Sequence, residues 1–144
     1  MTEQKTTNPI DRLLISFFKK TGDVQKYVHT VYNVLRYVRF GEKRGVPEQI
    51  LNMNQEHLLT SDILNNSCIT VSNIIDICLG DYVRVGQDFG VIIAIDDTRM
   101  YIVDQFAQTP SDYLHAIALD KALDNFTLIR PSKIHDFAEG SVEI

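Results

Sequence analysis

Tryptophan is absent from these 144 residues, and cysteine is limited to Cys68 and Cys78. Two unclustered cysteines exclude the disulfide-dense scaffold of a small secreted domain. With His29, His57, His115 and His135 scattered and no C-x-x-C or H-x-x-x-H pair, no local zinc-site pattern exists either. No run approaches the roughly 18 apolar residues of a membrane span, and the first residues, MTEQKTTNPID, are polar where a signal peptide is apolar. The expectation is a cytoplasmic protein with no membrane partner, whose two cysteines stay reduced and buried without a disulfide. G-x-S-x-G, a Walker loop, H-E-x-x-H and the dinucleotide glycine fingerprint are missing as well. Asp96 and Asp97 could pair as carboxylates but read as solvated turn formers, and Cys78 as nucleophile with His115 as base can be imagined, yet nothing in the sequence places them together. The reading is therefore a non-enzyme: no catalytic residue, no metal and no cofactor is assigned.

What is present is ordinary globular material, 44% apolar and 23% charged, enough for one domain or two small subdomains sharing a core. The most patterned stretch is Gly80 to Val103. Val83 and Val85 alternate with Tyr82 and Arg84, the period of a strand with one face buried, and Gly86 ends it. From Phe89 to Ile95 the chain runs almost without a polar break, which predicts a central strand; Gly90 near its start takes a positive φ or lets another backbone pass close. Asp96, Asp97, Thr98 and Arg99 read as a turn into the return arm Met100 to Val103. Leu114 to Leu119 is a fourth strand. Asp120 to Asn125 suits a single 3₁₀ turn that lets Leu123 and Phe126 cap one end, before a fifth strand from Thr127 to Arg130 that Pro131 stops.

Four strands, one tight helical turn and a last strand is the order of the small SH3-like barrels, which this half resembles. Within that class, G-D-Y-V-R-V-G-Q-D-F-G-V-I-I-A-I at Gly80 to Ile95 resembles the opening of a KOW-type module. The resemblance implies binding to RNA, ribosomal protein or polymerase. KOW turns are typically basic, whereas Gly86, Gln87, Asp88 and Phe89 stand here.

The first half reads as helical. Asn8, Pro9 and Asp11 form a helix-opening signal, Ile10, Leu13, Leu14 and Phe17 recur at helical spacing, and Gly22 follows Lys19 and Lys20 as a stop. Asp23 to Phe40 places Val24, Tyr27, Val28, Val31, Leu35 and Val38 three and four apart, a second helix ending at Gly41. Pro47 to Met53 starts a short third helix, and Thr60 or Ser61 ahead of Asp62, Ile63 and Leu64 a fourth. Cys68 to Leu79 is either a helix capped by Ser72 or two short strands broken at Ser72 and Asn73. The fold class is α+β, with a helical region over residues 1–79 packed on a five-stranded SH3-like β-barrel over residues 80–144.

Charge divides the same way. Residues 1–79 carry nine Lys/Arg against eight Asp/Glu, net +1, and residues 80–144 carry five against eleven, net −6. Arg36, Arg39, Lys43 and Arg44 crowd the end of the second helix, where they either meet an anion or offset the helix dipole. Tyr82, Phe89, Tyr101, Phe106 and Tyr113 lie off the inward phase or in loops, a way to present rigid contact area. These features predict a non-catalytic protein-binding or regulatory adaptor acting through the barrel loops on a protein partner, a basic one by the acidic surface. The alternatives are nucleic-acid or ribonucleoprotein binding through the basic helix end, and an enzyme with a dispersed site.

Overall fold

Each end of the first helix is set by a local side chain. In the computed structural model, which describes residues 8–71, 75–104, 114–120 and 126–135, Asn8 is extended and its Oδ1 accepts from the N–H groups of Ile10 and Asp11. Two of the donors that a helix start leaves without partners are thereby satisfied. Helix α1, Pro9–Thr21, then runs to Gly22, which takes the left-handed conformation at φ 65°. Helix α2, Val24–Phe40, repeats the pattern with Asp23 capping the Lys26 N–H and Gly41 at its end. Its buried side is Val24, Tyr27, Val31 and Val34, so Leu35 and Val38 of the expected stripe sit half-buried at the margin. Three short helices follow: α3 (Glu48–Leu51), α4 (Gln55–Leu59) and α5 (Asp62–Asn65). Sequence reading missed α4, whose start is nonetheless capped by Asn54 through the Glu56 N–H.

Asp11 acts far from its own helix. It is 1% exposed, and its carboxylate accepts from the Ser61 hydroxyl at 2.6 Å, the Asp62 N–H at 2.9 Å and the Ile63 N–H at 3.2 Å. Ser61 Oγ in turn accepts from the Leu64 N–H at 3.1 Å. The first-turn donors of α5 are thus satisfied by a residue fifty positions earlier in the chain. Asn8 does the same with its other atom, donating from Nδ2 to the His57 carbonyl and to Thr60 Oγ1. These helices belong to one compact unit, Met1–Asn65, and the strands to a second, Asn66–Ile144.

The second unit begins with an antiparallel pair, β1 (Cys68–Val71) and β2 (Ile75–Cys78), so the stretch left open between helix and strands is strands; Ser72 and Asn73 lie outside the described residues. Cys68 stands directly opposite Cys78, and the two are bonded as a disulfide. This corrects the expectation of free thiols. A helix would have held the two residues about 15 Å apart along its axis, whereas the pairing brings their side chains to one side of one rung.

Five strands form the main sheet: β3 (Tyr82–Val85), β4 (Asp88–Ile95), β5 (Arg99–Val103), β6 (Leu114–Ala118) and β7 (Phe126–Arg130). Their order is β6-β5-β4-β3-β7, antiparallel throughout, with the unbroken apolar run of β4 in the middle. The architecture is α+β, but the sheet is not closed into a barrel. Closure requires the outer strands to pair; instead, among the described residues, β6 and β7 are edges, and every residue from Thr127 to Arg130 is exposed as an edge strand's are. Register shifts between Ile92 and Ala94 and between Tyr82 and Val83 bend the sheet without closing it. Of the expected 3₁₀ turn only Asp120 is described, and Leu123 lies outside the described residues.

Gly90 resolves the choice posed by its position. Its φ is not positive; a Cβ there would instead meet the Val103 carbonyl oxygen, with the Val103 carbonyl carbon at 2.7 Å and the Asp104 nitrogen at 3.1 Å. Only glycine lets β4 and β5 approach this closely.

Candidate functional site

Alternation along the strands sorts the sheet into two faces. Val83, Val85, Ile92, Met100, Ile102 and Ile117 are buried on one of them. Directly opposed residues share a face, so the register assigns the other. Tyr82 stands opposite Val91 and Arg130, and Arg84 opposite Phe89 and Thr127. Tyr101 stands opposite Ala94 and Ala116 and shares the face of Val103, the shift at Ile93 bringing Ala94 to the same face as Val91. Three of the five predicted contact aromatics, Tyr82, Phe89 and Tyr101, therefore lie on one face, all half-buried. Phe106 and Tyr113 lie outside the described residues.

Tyr82 and Phe89 form a cluster, their ring centroids 6.4 Å apart at 46°, and the Arg130 guanidinium lies over the Tyr82 ring at 5.6 Å. Arg84 is exposed on the same face. Tyr101 is two strands away and is held differently, its hydroxyl donating to Asp96 Oδ2 at 3.2 Å. Between them Val91 and Val103 are covered, at 2% and 0% exposure, so this face is accessible at its two ends: at Tyr82, Arg84 and the β7 edge, and at β6, where Leu114 is 49% exposed and Ala116 is exposed. On the β7 edge Leu128 is 39% and Ile129 47% exposed.

Asp96 shows how the β4 to β5 turn is fixed. Oδ1 accepts from the N–H groups of Thr98 at 2.9 Å and Arg99 at 2.8 Å. Partial burial alone would raise this carboxyl; the two N–H groups, the Tyr101 hydroxyl and the Arg99 charge outweigh it and hold the group below the ordinary aspartate range.

Comparison with protein-family models, curated proteins and solved structures finds no match for this chain.

The basic cluster of the first unit is partly engaged. Arg36 pairs with Glu42 at 2.9 Å and lies 6.0 Å from the Tyr32 ring and 5.9 Å from that of Phe40. The Arg36 hydrogen bond and charge lower the Glu42 carboxyl. Arg39 closes the last turn of α2, and Lys43 and Arg44 are exposed in the segment beyond it. Cys78 and His115 are not assembled as nucleophile and base. Cys78 is bonded to Cys68, and His115 Nδ1 lies 3.9 Å from Asp88 Oδ1.

Sequence reading missed the polar group built on Asp81, which is fully buried. Oδ1 accepts from the Ser132 N–H at 2.9 Å and Oδ2 from the Cys78 N–H at 3.0 Å, while His135 Nε2 lies 2.9 Å from both oxygens. The Ser132 hydroxyl donates to the Leu79 carbonyl at 2.6 Å. A neutral imidazole can make this contact only with its proton on Nε2. The carboxylate is spent on fastening the segment after β7 to the turn before β3, a structural clamp. No local signal pairs residues 54 positions apart.

Proposed function

We propose that the second unit is a non-catalytic binding module, SH3-like in strand order, that takes an extended protein segment along the β7 edge and the Tyr82 to Phe89 end of its sheet. The observation that carries this reading is the β7 edge itself, with Leu128 and Ile129 exposed beside Arg130. An edge strand presents unpaired backbone donors and acceptors, and an added strand satisfies them while its alternate side chains reach the adjoining face. The SH3-like reading draws support from the last strand lying beside the first, the order expected of that class before closure.

The partner's charge is read differently from the sequence expectation. Asp81 is buried, Asp88 pairs in register with Val85 on the buried face, and Asp96 and Asp97 occupy a turn, whereas the Tyr82 end carries Arg84 and Arg130. An acidic segment, not a basic one, complements this surface. Rings and arginines on a sheet also favour single-stranded nucleic acid as a second reading. Against it, the Arg130 guanidinium already covers the Tyr82 ring face that a base would need.

Fluorescently labelled octapeptides alternating apolar and acidic residues, titrated into the full chain beside the same peptides with Lys at the charged positions, test the proposal. Saturable binding of the acidic set, weakened by Arg130→Gln and by the uncharged Ile129→Ser, is expected. Preference for the lysine set, or for an oligothymidylate over both, would reject it.

A further inference from the structure

The first unit contains a cavity of about 250 Å³ lined by Phe17 and Thr21 of α1, Lys26, Tyr27 and Thr30 of α2, and Pro47. Two of these residues are less polar than they look. The Thr21 hydroxyl donates to the Phe17 carbonyl at 3.0 Å and accepts from the Asp23 N–H, and the Thr30 hydroxyl donates to the Lys26 carbonyl at 2.8 Å. Both hydroxyls are satisfied within the helices, so the threonines offer their methyls to the space. Tyr27 is 4% exposed, its hydroxyl titrating well above the ordinary range because of burial and then the nearby Asp11 charge, so it presents a neutral ring.

Lys26 is the exception. It lines the cavity and is exposed to solvent, and among the described residues no carboxylate pairs with it. Lys19 and Lys20, in the last turn of α1, add charge of the same sign, while the one acid nearby in sequence, Asp23, has its Oδ1 engaged as the α2 cap. An apolar hollow with one lysine in its lining complements a ligand with an apolar body and a single anionic end. The volume lies just below that of drug-sized sites, which suits one or two rings and not a helix or an extended chain.

We infer that this cavity binds a small aromatic monocarboxylate, its ring system between Phe17 and Tyr27 and its carboxylate at Lys26. The site lies wholly within the first unit and does not depend on the sheet's function. A ligand of this size gives a Kd of about 0.1–1 mM, and an exposed ammonium favours the carboxylate over an uncharged analogue by about two- to fivefold.

The test titrates indole-3-acetate and uncharged indole-3-ethanol into the ¹⁵N-labelled full chain, followed by amide shifts. Saturable shifts clustered on Phe17, Thr21, Tyr27, Thr30 and their neighbours are expected, with the acid binding at least twofold tighter. Lys26→Gln should bring the two ligands to equal affinity, and Thr30→Phe, which fills the cavity, should abolish both while leaving the spectrum dispersed. Failure of either ligand to saturate at several millimolar overturns the inference. So does equal affinity of the two for the unaltered chain, or a preference for the acid that survives Lys26→Gln.

Discussion

Replacing Asp11 with alanine tests the least local interaction in the first unit. The carboxylate is the acceptor for one hydroxyl and two backbone N–H groups, in a site that is 1% exposed. Alanine leaves no acceptor and admits little water. Each buried donor left without a partner costs about 1–3 kcal/mol, and because neighbouring losses relax together the sum falls short of additive, at about 3–5 kcal/mol. Asp11→Asn keeps an oxygen able to serve Ser61 and Ile63 but sets an amide NH₂ against the Asp62 N–H, which predicts a loss of about 1–3 kcal/mol. Urea unfolding followed by far-UV circular dichroism and tyrosine emission measures both, the chain having no tryptophan to obscure the signal. Amide exchange localises the effect: the Asp62 and Ile63 amides should lose the most protection. A loss under about 1 kcal/mol for the alanine variant would refute the reasoning, since it would mean that the three donors find water as readily as carboxylate.

Further outcomes follow from the second unit. Reducing the Cys68 to Cys78 bond, which closes a loop with a sequence separation of 10, should lower stability by about 2–3 kcal/mol on the chain-entropy estimate, measured by denaturation with and without reductant. Gly90→Ala should destabilise or distort the β4 to β5 pairing because its methyl meets backbone that cannot move aside, read as broadened or displaced amide signals at Val103 and Asp104. Asp96→Asn bears on pH. A carboxyl held below its unfolded value contributes stability that is present above the unfolded pKa and lost as pH falls through the folded one, so the variant should lose a small part, under about 1 kcal/mol, of the acid dependence below about pH 4, seen as a flatter melting temperature in that range.

Where a feature depends on neighbours in the chain, it was legible. Asn8, Asp23, Gly22 and Gly41 mark the ends of α1 and α2 because capping is a matter of three or four residues. The alternation of Tyr82 to Val85 and the unbroken run in β4 likewise placed β3 at a half-buried position and β4 at the centre. What escaped is what only pairing decides. Alternation says which side chains share a face but not whether β6 and β7 meet, so an open sheet and a closed barrel read alike. In the same way the run from Cys68 to Cys78 is apolar enough for a helix, and the disulfide becomes visible only once the strands are set in register. Asp11 with Ser61, and Asp81 with His135, are contacts between residues 50 and 54 positions apart, and each acid taken alone resembles a local cap or turn former.

The charge of the candidate surface is the sharpest instance of this limit. Net charge counts residues wherever they lie, and residues 80–144 sum to −6. Aspartate is drawn to turns and caps because its short side chain bonds nearby N–H groups, and β-strand interiors disfavour it. Four of the described acids follow that rule: Asp81 is buried in the turn before β3, Asp88 opens β4 after a two-residue turn, and Asp96 and Asp97 occupy the next one. Arginine tolerates strand positions whose long stem covers the sheet and whose head reaches water, and Arg84, Arg99 and Arg130 all stand within strands on the face that Tyr82 and Tyr101 share. These preferences let Arg84 and Arg130 stand together at the Tyr82 end of a half whose net charge is −6. At about 8 Å of screening in physiological salt, a partner docked at Tyr82 responds to Arg84 and Arg130 before it responds to the turns. Long-range approach is governed by the acids, and contact by the arginines. The acidic peptides should accordingly associate slowly at low salt and faster as salt rises, the reverse of the usual steered encounter between opposite charges, and a decrease of the association rate with added salt would show that the arginines, not the net charge, set the field at a distance.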